Sequence, residues 1–129
     1  MRVVAVDYGR ARTGLAVSDA TGTLARPVGV VQRVRSKAGR AELVRRIKEL
    51  EAERVVVGMP ISLNGRRGRQ AGETQAFVDE LRAACPVPVE TMDERFTTAM
   101  AVRLNGTDDD AVAAAHLLKG YLDRFAGCS

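Results

Sequence analysis

The chain has no tryptophan, a single histidine and two cysteines. Zinc sites need clustered Cys and His at short spacings. His116, Cys85 and Cys128 offer none, so a zinc site is not expected. The two cysteines build no disulfide framework and are expected as reduced thiols. Three Phe and two Tyr are scattered along the chain, so Tyr8, Phe77, Phe96, Tyr121 and Phe125 predict no base-stacking platform. No apolar run reaches the roughly 18 residues of a membrane helix. Met1-Arg2 leads straight into a β-branched run with no signal segment. A soluble, cytoplasmic protein without membrane attachment is expected. His116, among alanines and leucines, reads as a half-buried packing residue and not as a general base.

What is present is charge, unevenly spread. The 129 residues carry a net +4. Residues 1–72 hold 15 basic and 6 acidic side chains, and residues 73–129 hold 5 and 10, so the two parts stand at +9 and −5. A basic surface beside a group of acids suits a polyanion, with arginines on its phosphates and metal ions on the acids. The length is that of one domain, residues 1–129, with enough chain to bury a core unaided.

The first feature with a chemical reading is Val3–Val6 followed by Asp7-Tyr8-Gly9 and, from Thr13, a second apolar run ending at Ser18-Asp19. This is a hairpin signature. It places Asp7 at the end of a buried strand, where a carboxylate is costly unless it is used. A third strand is expected over Thr23–Val31, with Pro27 marking an edge or a bulge. Ser36 caps a helix whose Leu43, Val44, Ile47 and Leu50 share a face. Arg54–Met59 shows no alternation, as in a strand buried on both faces. Residues 61–72 read as a loop turning at Asn64-Gly65, with Arg66, Arg67 and Arg69 projecting from it, either to grip a phosphate backbone or simply as solvated charges. A helix then carries Thr74, Phe77, Val78 and Leu81 inward and stops at Pro86. Val87–Met92 reads as the fifth strand, Ala99–Leu104 as a short helix ending at Asn105-Gly106. The last helix starts near Thr107, with Ala111, Ala114, Ala115, Leu118, Leu122 and Phe125 along one stripe. The order β-β-β-α-β-α-β-α-α predicts an α/β protein of ribonuclease H-like type: a mixed five-stranded sheet, three antiparallel strands then α-β-α-β, with helices on both faces.

Three groups of acids fall at element ends: Asp7, Asp93-Glu94, and Asp108-Asp109-Asp110. Phosphodiester hydrolysis needs an activated water and a stabilised leaving oxygen, which two hard divalent ions about 4 Å apart supply. Oxygen ligands suit Mg²⁺ or Mn²⁺. Adjacent strand residues point to opposite faces, so one of Asp93 and Glu94 faces the site. The longer Glu94 is the better bridge if the fifth strand lies two strands from Asp7, with Gly58 leaving the gap open. Asp110 lies on the side of Ala113, Ala114 and Leu117, and the two alanines are small enough to bring the helix close to the sheet. Capping of the helix, with Thr107 and Asp110 as a capping box, is the competing account of the aspartate run.

In these residues the chain resembles the YqgF/RuvX family, whose members are described both as Holliday junction resolvases and as pre-16S rRNA nucleases. Four blocks carry the resemblance over essentially the whole chain: Asp7, Gly9, Arg12, Gly14, Ser18 and Asp19; Gly58-Met59-Pro60 with Asn64-Gly65; Asp93 to Thr98; and Asp110 with Ala113 and Ala114. The resemblance implies Asp7, Glu94 and Asp110 as metal-binding, catalytic acids. It implies Arg12 and Arg95 as phosphate contacts, and Thr97-Thr98 as hydroxyls near the scissile phosphate or a helix cap. The Lys/Arg-rich segment the family often carries before the final aspartate is absent here. The expected activity is a metal-dependent nuclease acting on an rRNA precursor, with single-stranded DNA as a further substrate. The alternatives are a junction resolvase acting on branched DNA as a homodimer, where a nuclease could act as monomer or homodimer, and a ribosome-associated binding module without turnover. The Asp-x-Gly hairpin also occurs in actin-like ATPases and sugar kinases, which need two such domains.

Overall fold

The structure, a computed structural model, describes residues 1–60, 68–93 and 110–126. Its elements are β1 (Val3–Asp7), β2 (Arg12–Ser18), β3 (Ala25–Gln32), α1 (Lys37–Glu49), β4 (Arg54–Met59), α2 (Arg69–Ala84), β5 (Val89–Asp93) and α3 (Asp110–Ala126). The strands form one mixed sheet in the order β3-β2-β1-β4-β5. β1 and β2 are antiparallel, as are β2 and β3, whereas β4 runs parallel to both β1 and β5.

Strand alternation sorts the apolar residues into two cores. Val4, Val6, Val55 and Val57 face Leu43, Ile47, Phe77 and Leu81 of α1 and α2. Val3, Ala5, Val56 and Met92 face Ala114, Leu117, Leu118 and Tyr121 of α3. β1 and most of β4 are therefore buried on both sides, which is why neither shows polar alternation.

Local chemistry accounts for the element ends. Ser36 caps α1, its hydroxyl accepting from Gly39 N–H at 3.0 Å. The Asp19 carboxylate accepts from Thr23 N–H (2.8 Å), Leu24 N–H (3.2 Å) and the Thr21 hydroxyl (2.7 Å), which pulls its pKa below the ordinary carboxylate value and shapes the β2–β3 turn. β3 is an edge strand, and the ladder slips between Leu15 and Ala16 where Pro27 lies opposite.

Boundaries differ from expectation in three places. β3 spans Ala25–Gln32 and not 23–31, because residues 19–24 are occupied by the Asp19 turn. β5 spans Val89–Asp93 and not 87–92, since its pairing with β4 begins at Val55–Val89. The segment 61–72 is not all loop: α2 begins at Arg69 and buries Ala71 and Thr74, so Arg69 is helical. In the first turn Gly72 N–H donates to Gly68 O at 3.1 Å, and Thr74 Oγ1 donates to the Gln70 carbonyl at 2.9 Å. The short helix expected at 99–104 and the start near Thr107 lie outside the described residues.

Candidate functional site

Asp7 closes β1 on the same face as Val3 and Ala5, and is thus turned toward α3. It is 3% exposed, one of four buried polar or charged side chains among the described residues. Its ladder partner on β2 is Gly14. A Cβ built on Gly14 would fall on the backbone carbonyl of Asp110 and 2.9 Å from Ala111 N, so α3 starts in direct backbone contact with β2. Only glycine permits that approach. Ala113 and Ala114, both buried, keep the rest of the first turns equally close. The result is that Asp110 stands beside Asp7, although 102 residues separate them in the chain.

Arg12 opens β2 on the same face as Gly14, and its Nε lies 3.3 Å from Asp110 Oδ2. The connection that carries it is held by Thr13, whose buried hydroxyl donates to Gly9 O (3.2 Å) and accepts from Gly9 N–H (3.3 Å). Tyr8 leans away from Asp7, stacked on Phe77 with ring centroids 4.7 Å apart. Burial raises its phenol pKa, partly offset by Arg35. On the other flank Arg10 Nε donates to Glu73 of α2 at 2.9 Å, and a cavity of about 310 Å³ opens between Tyr8, Gly9, Arg10, Gln70 and Glu73.

On the far side of Asp7 is β4. Ala5 pairs with Val56, so Gly58 follows on the face of Asp7, and Gly58 pairs with Met92 of β5, which packs on α3. No side chain from β4 fills the space between β1 and β5, two strand spacings or about 9–10 Å apart. The same register puts Asp93, paired with Met59, on the opposite face of the sheet from Asp7. Asp7, Arg12 and Asp110 are brought together. Glu94, Arg95, Thr97, Thr98, Arg66 and Arg67 lie outside the described residues, and among the described residues no group of three or more His, Cys, Asp or Glu side chains could hold a metal ion.

Two further residues shape the site, Gly14 of the first family block and Thr13 beside it. Gly14 and Thr13 build the site without chemistry of their own, and an isolated glycine inside a strand pattern was the available signal of close backbone approach. Conversely, Ser18 and Asp19 sit at the other end of the sheet and are structural: Ser18 Oγ accepts from Val3 N–H at 2.8 Å.

The fold is ribonuclease H-like. It matches over all of this chain the Thermus thermophilus RuvC in complex with a Holliday junction substrate (TM-score 0.62, 19% identity, 98% of that chain). It also matches the fowlpox virus resolvase in complex with Holliday junction DNA (TM-score 0.61, 12% identity, 97% of this chain and 99% of that one). Within that class, residues 1–124 match the family model described as RuvX, Holliday junction resolvase, and the chain belongs to the RuvX family. A relative from Anaeromyxobacter sp., described as a candidate pre-16S rRNA nuclease, is 39% identical over 95% of this chain and 97% of its own length. One from Rhodococcus erythropolis with the same description is 40% identical over 95% and 77%.

Proposed function

We propose that this protein is a divalent-metal-dependent nuclease that hydrolyses phosphodiester bonds in the 5′-end maturation of pre-16S rRNA, in the cytoplasm, and also accepts single-stranded DNA. The observation that carries this reading is the meeting of Asp7 and Asp110 across Gly14 at the open end of the sheet. Two carboxylate-bearing residues brought this near to each other repel unless cations offset them, and among the described residues Arg12 pairs with Asp110 alone. The donor set is hard oxygen only, with Asp7 Oδ1 and Asp110 Oδ2 both shielded from solvent, and it fits Mg²⁺ or Mn²⁺. The third ligand is assigned to Glu94, which lies outside the described residues, by resemblance to the family's acidic-Arg-Thr-Thr block; Glu90 and Met92 before it face α3 and Asp93 faces away. When bound, the metal would lower the pKa of a water and neutralise charge on the phosphate.

The chain's own residues then have distinct duties. Asp7, buried at the end of β1, would hold the metal ion that engages the scissile phosphate. Asp110 comes from a helix N-terminus whose dipole favours negative charge. Arg12 steadies Asp110 and, with Arg95, contacts phosphate oxygens, while Thr97, Thr98, Arg66 and Arg67 extend that contact. The test is cleavage of pre-16S rRNA, single-stranded DNA and four-way junctions with Mg²⁺, Mn²⁺ or chelator, wild type beside Asp7→Asn. Persistent cleavage by the variant sinks the mechanism.

A second reading, junction resolution, is favoured by the family model's description. It requires a homodimer cutting two strands together. Cleavage of junctions alone, by a dimer, would select it. Ribosome-associated binding without turnover would leave Asp7→Asn biologically active.

A further inference from the structure

The positive charge of the chain is concentrated in a stretch that the site does not use. Residues 33–48 hold seven Arg and Lys side chains and one acid, Glu42, a net +6 where the whole chain is +4. This stretch begins at the rim of the site. Gln32 is the ladder partner of Arg12, and the next residue, Arg33, donates its N–H to the Ala11 carbonyl at 3.0 Å. Arg33 sits at φ 49, a left-handed conformation that a non-glycine residue holds only when its surroundings impose it. The imposing contacts are visible. Its carbonyl accepts from Ser36 N–H (2.9 Å) and Ser36 Oγ (2.7 Å), and the same carbonyl occupies the place of a Cβ on buried Gly39. The corner leading into α1 is thus pinned both to the β1–β2 turn and to the helix.

From that corner the charge continues along α1. Lys37, Arg40, Arg45 and Lys48 line a groove of about 440 Å³ with Ala41 and Val44 among its lining residues. Part of this charge is internally matched: Glu80 of α2 pairs with Arg35 (2.9 Å) and Arg40 (3.4 Å), and Glu42 and Glu49 hold Arg45. Arg33, Lys37 and Lys48 are exposed and make no ion pair among the described residues. From Lys37 to Lys48 the helix rises about 16 Å. A single small anion cannot engage cations spread over that distance. A chain of phosphates can.

We propose that the Arg33 corner and the exposed face of α1 form a docking surface for the phosphodiester backbone of RNA, so that a strand seated at Asp7 and Asp110 continues over the rim and along α1. The proposal rests on the nuclease reading for the direction of the strand, while its test needs no cleavage. In chelator, so that no strand is cut, the full chain is titrated with a long RNA and with an RNA too short to reach beyond the carboxylates, across a range of salt. The variants are Lys37→Glu/Lys48→Glu and the milder Lys37→Gln/Lys48→Gln, with folding checked by circular dichroism. Loss of two phosphate contacts is expected to weaken the long RNA about tenfold or more and to reduce the salt slope by about 1.4 for a single strand. The short RNA should bind as before. An unchanged long-RNA affinity and slope, equal losses on both lengths, or a loss confined to DNA of the same length would overturn the proposal. If the wild type cut no substrate yet showed the length-dependent loss, the docking surface would stand and the nuclease reading would fall.

Discussion

Gly14 and Asp110 share one point in space: the position a Cβ would take on Gly14 is filled by the Asp110 backbone carbonyl. Since Gly14 is also the ladder partner of Asp7, one missing side chain sets the distance between the two acids. Gly14→Ala must push the start of α3 off the sheet. We expect a loss of about 1–3 kcal/mol of stability from overpacking. Cleavage should fall much further than the folded fraction. Urea unfolding alongside cleavage by the folded variant measures both.

Asp7→Asn should behave in the opposite way. The buried carboxylate lies on the face where the start of α3 brings in Asp110, so removing its charge in chelator is expected to leave the melting temperature unchanged or raise it. Cleavage should drop at least a hundredfold, about 2.7 kcal/mol in barrier. In the wild type, Mn²⁺ at 100 times its Kd adds about 2.7 kcal/mol of stability. That increment should vanish in Asp7→Asn, and a retained Mn²⁺ shift would place the metal elsewhere.

Arg12 is held against Asp110 where a metal ion would compete for the same oxygen. Its guanidinium is largely exposed, so Arg12→Gln should change stability by less than about 1 kcal/mol. Mn²⁺ affinity, read by isothermal titration, is expected to rise several-fold because a competing cation is gone. RNA affinity should fall. Unchanged metal affinity would show that the ion pair and the metal do not share Asp110.

Alkaline stability has a source in the α3 core. Tyr121 donates to Glu90 (2.9 Å) and accepts from Arg54 (3.1 Å). Burial raises its phenol pKa above 10, the Arg54 hydrogen bond opposes this, and Glu90 adds to it. The unfolded chain therefore loses its phenolic proton first. The contribution is complete below pH 10 and is lost as pH rises through the folded-state value. Thermal unfolding followed from pH 8 upward, in steps of about one unit, should show this decline, shallower in Tyr121→Phe. Tyr8, also raised by burial, contributes in the same direction.

Thr13→Val keeps shape and removes the two contacts to Gly9. A loss of about 1–3 kcal/mol is expected from leaving the Gly9 groups unsatisfied. Arg12 would lose its fixed position, so RNA binding should weaken with it.

The apolar runs Val3–Val6 and Val55–Val57, the Ser36 cap and the face Leu43, Val44, Ile47 determined by themselves which segments are strands and helices and which faces are buried, because hydrophobic periodicity and capping are local. They also marked Asp7 as an acid at the end of a buried strand. Tertiary structure decided what it meets. That β1 lies between β2 and β4, that Gly14 admits the backbone of α3, and that Asp93 faces away all depend on ladder register, and register is set by contacts between segments far apart in the chain. The start of α2 at Arg69 was hidden for a related reason: glycines at 68 and 72 and a run of arginines read locally as loop, and burial of Ala71 and Thr74 overrides that preference.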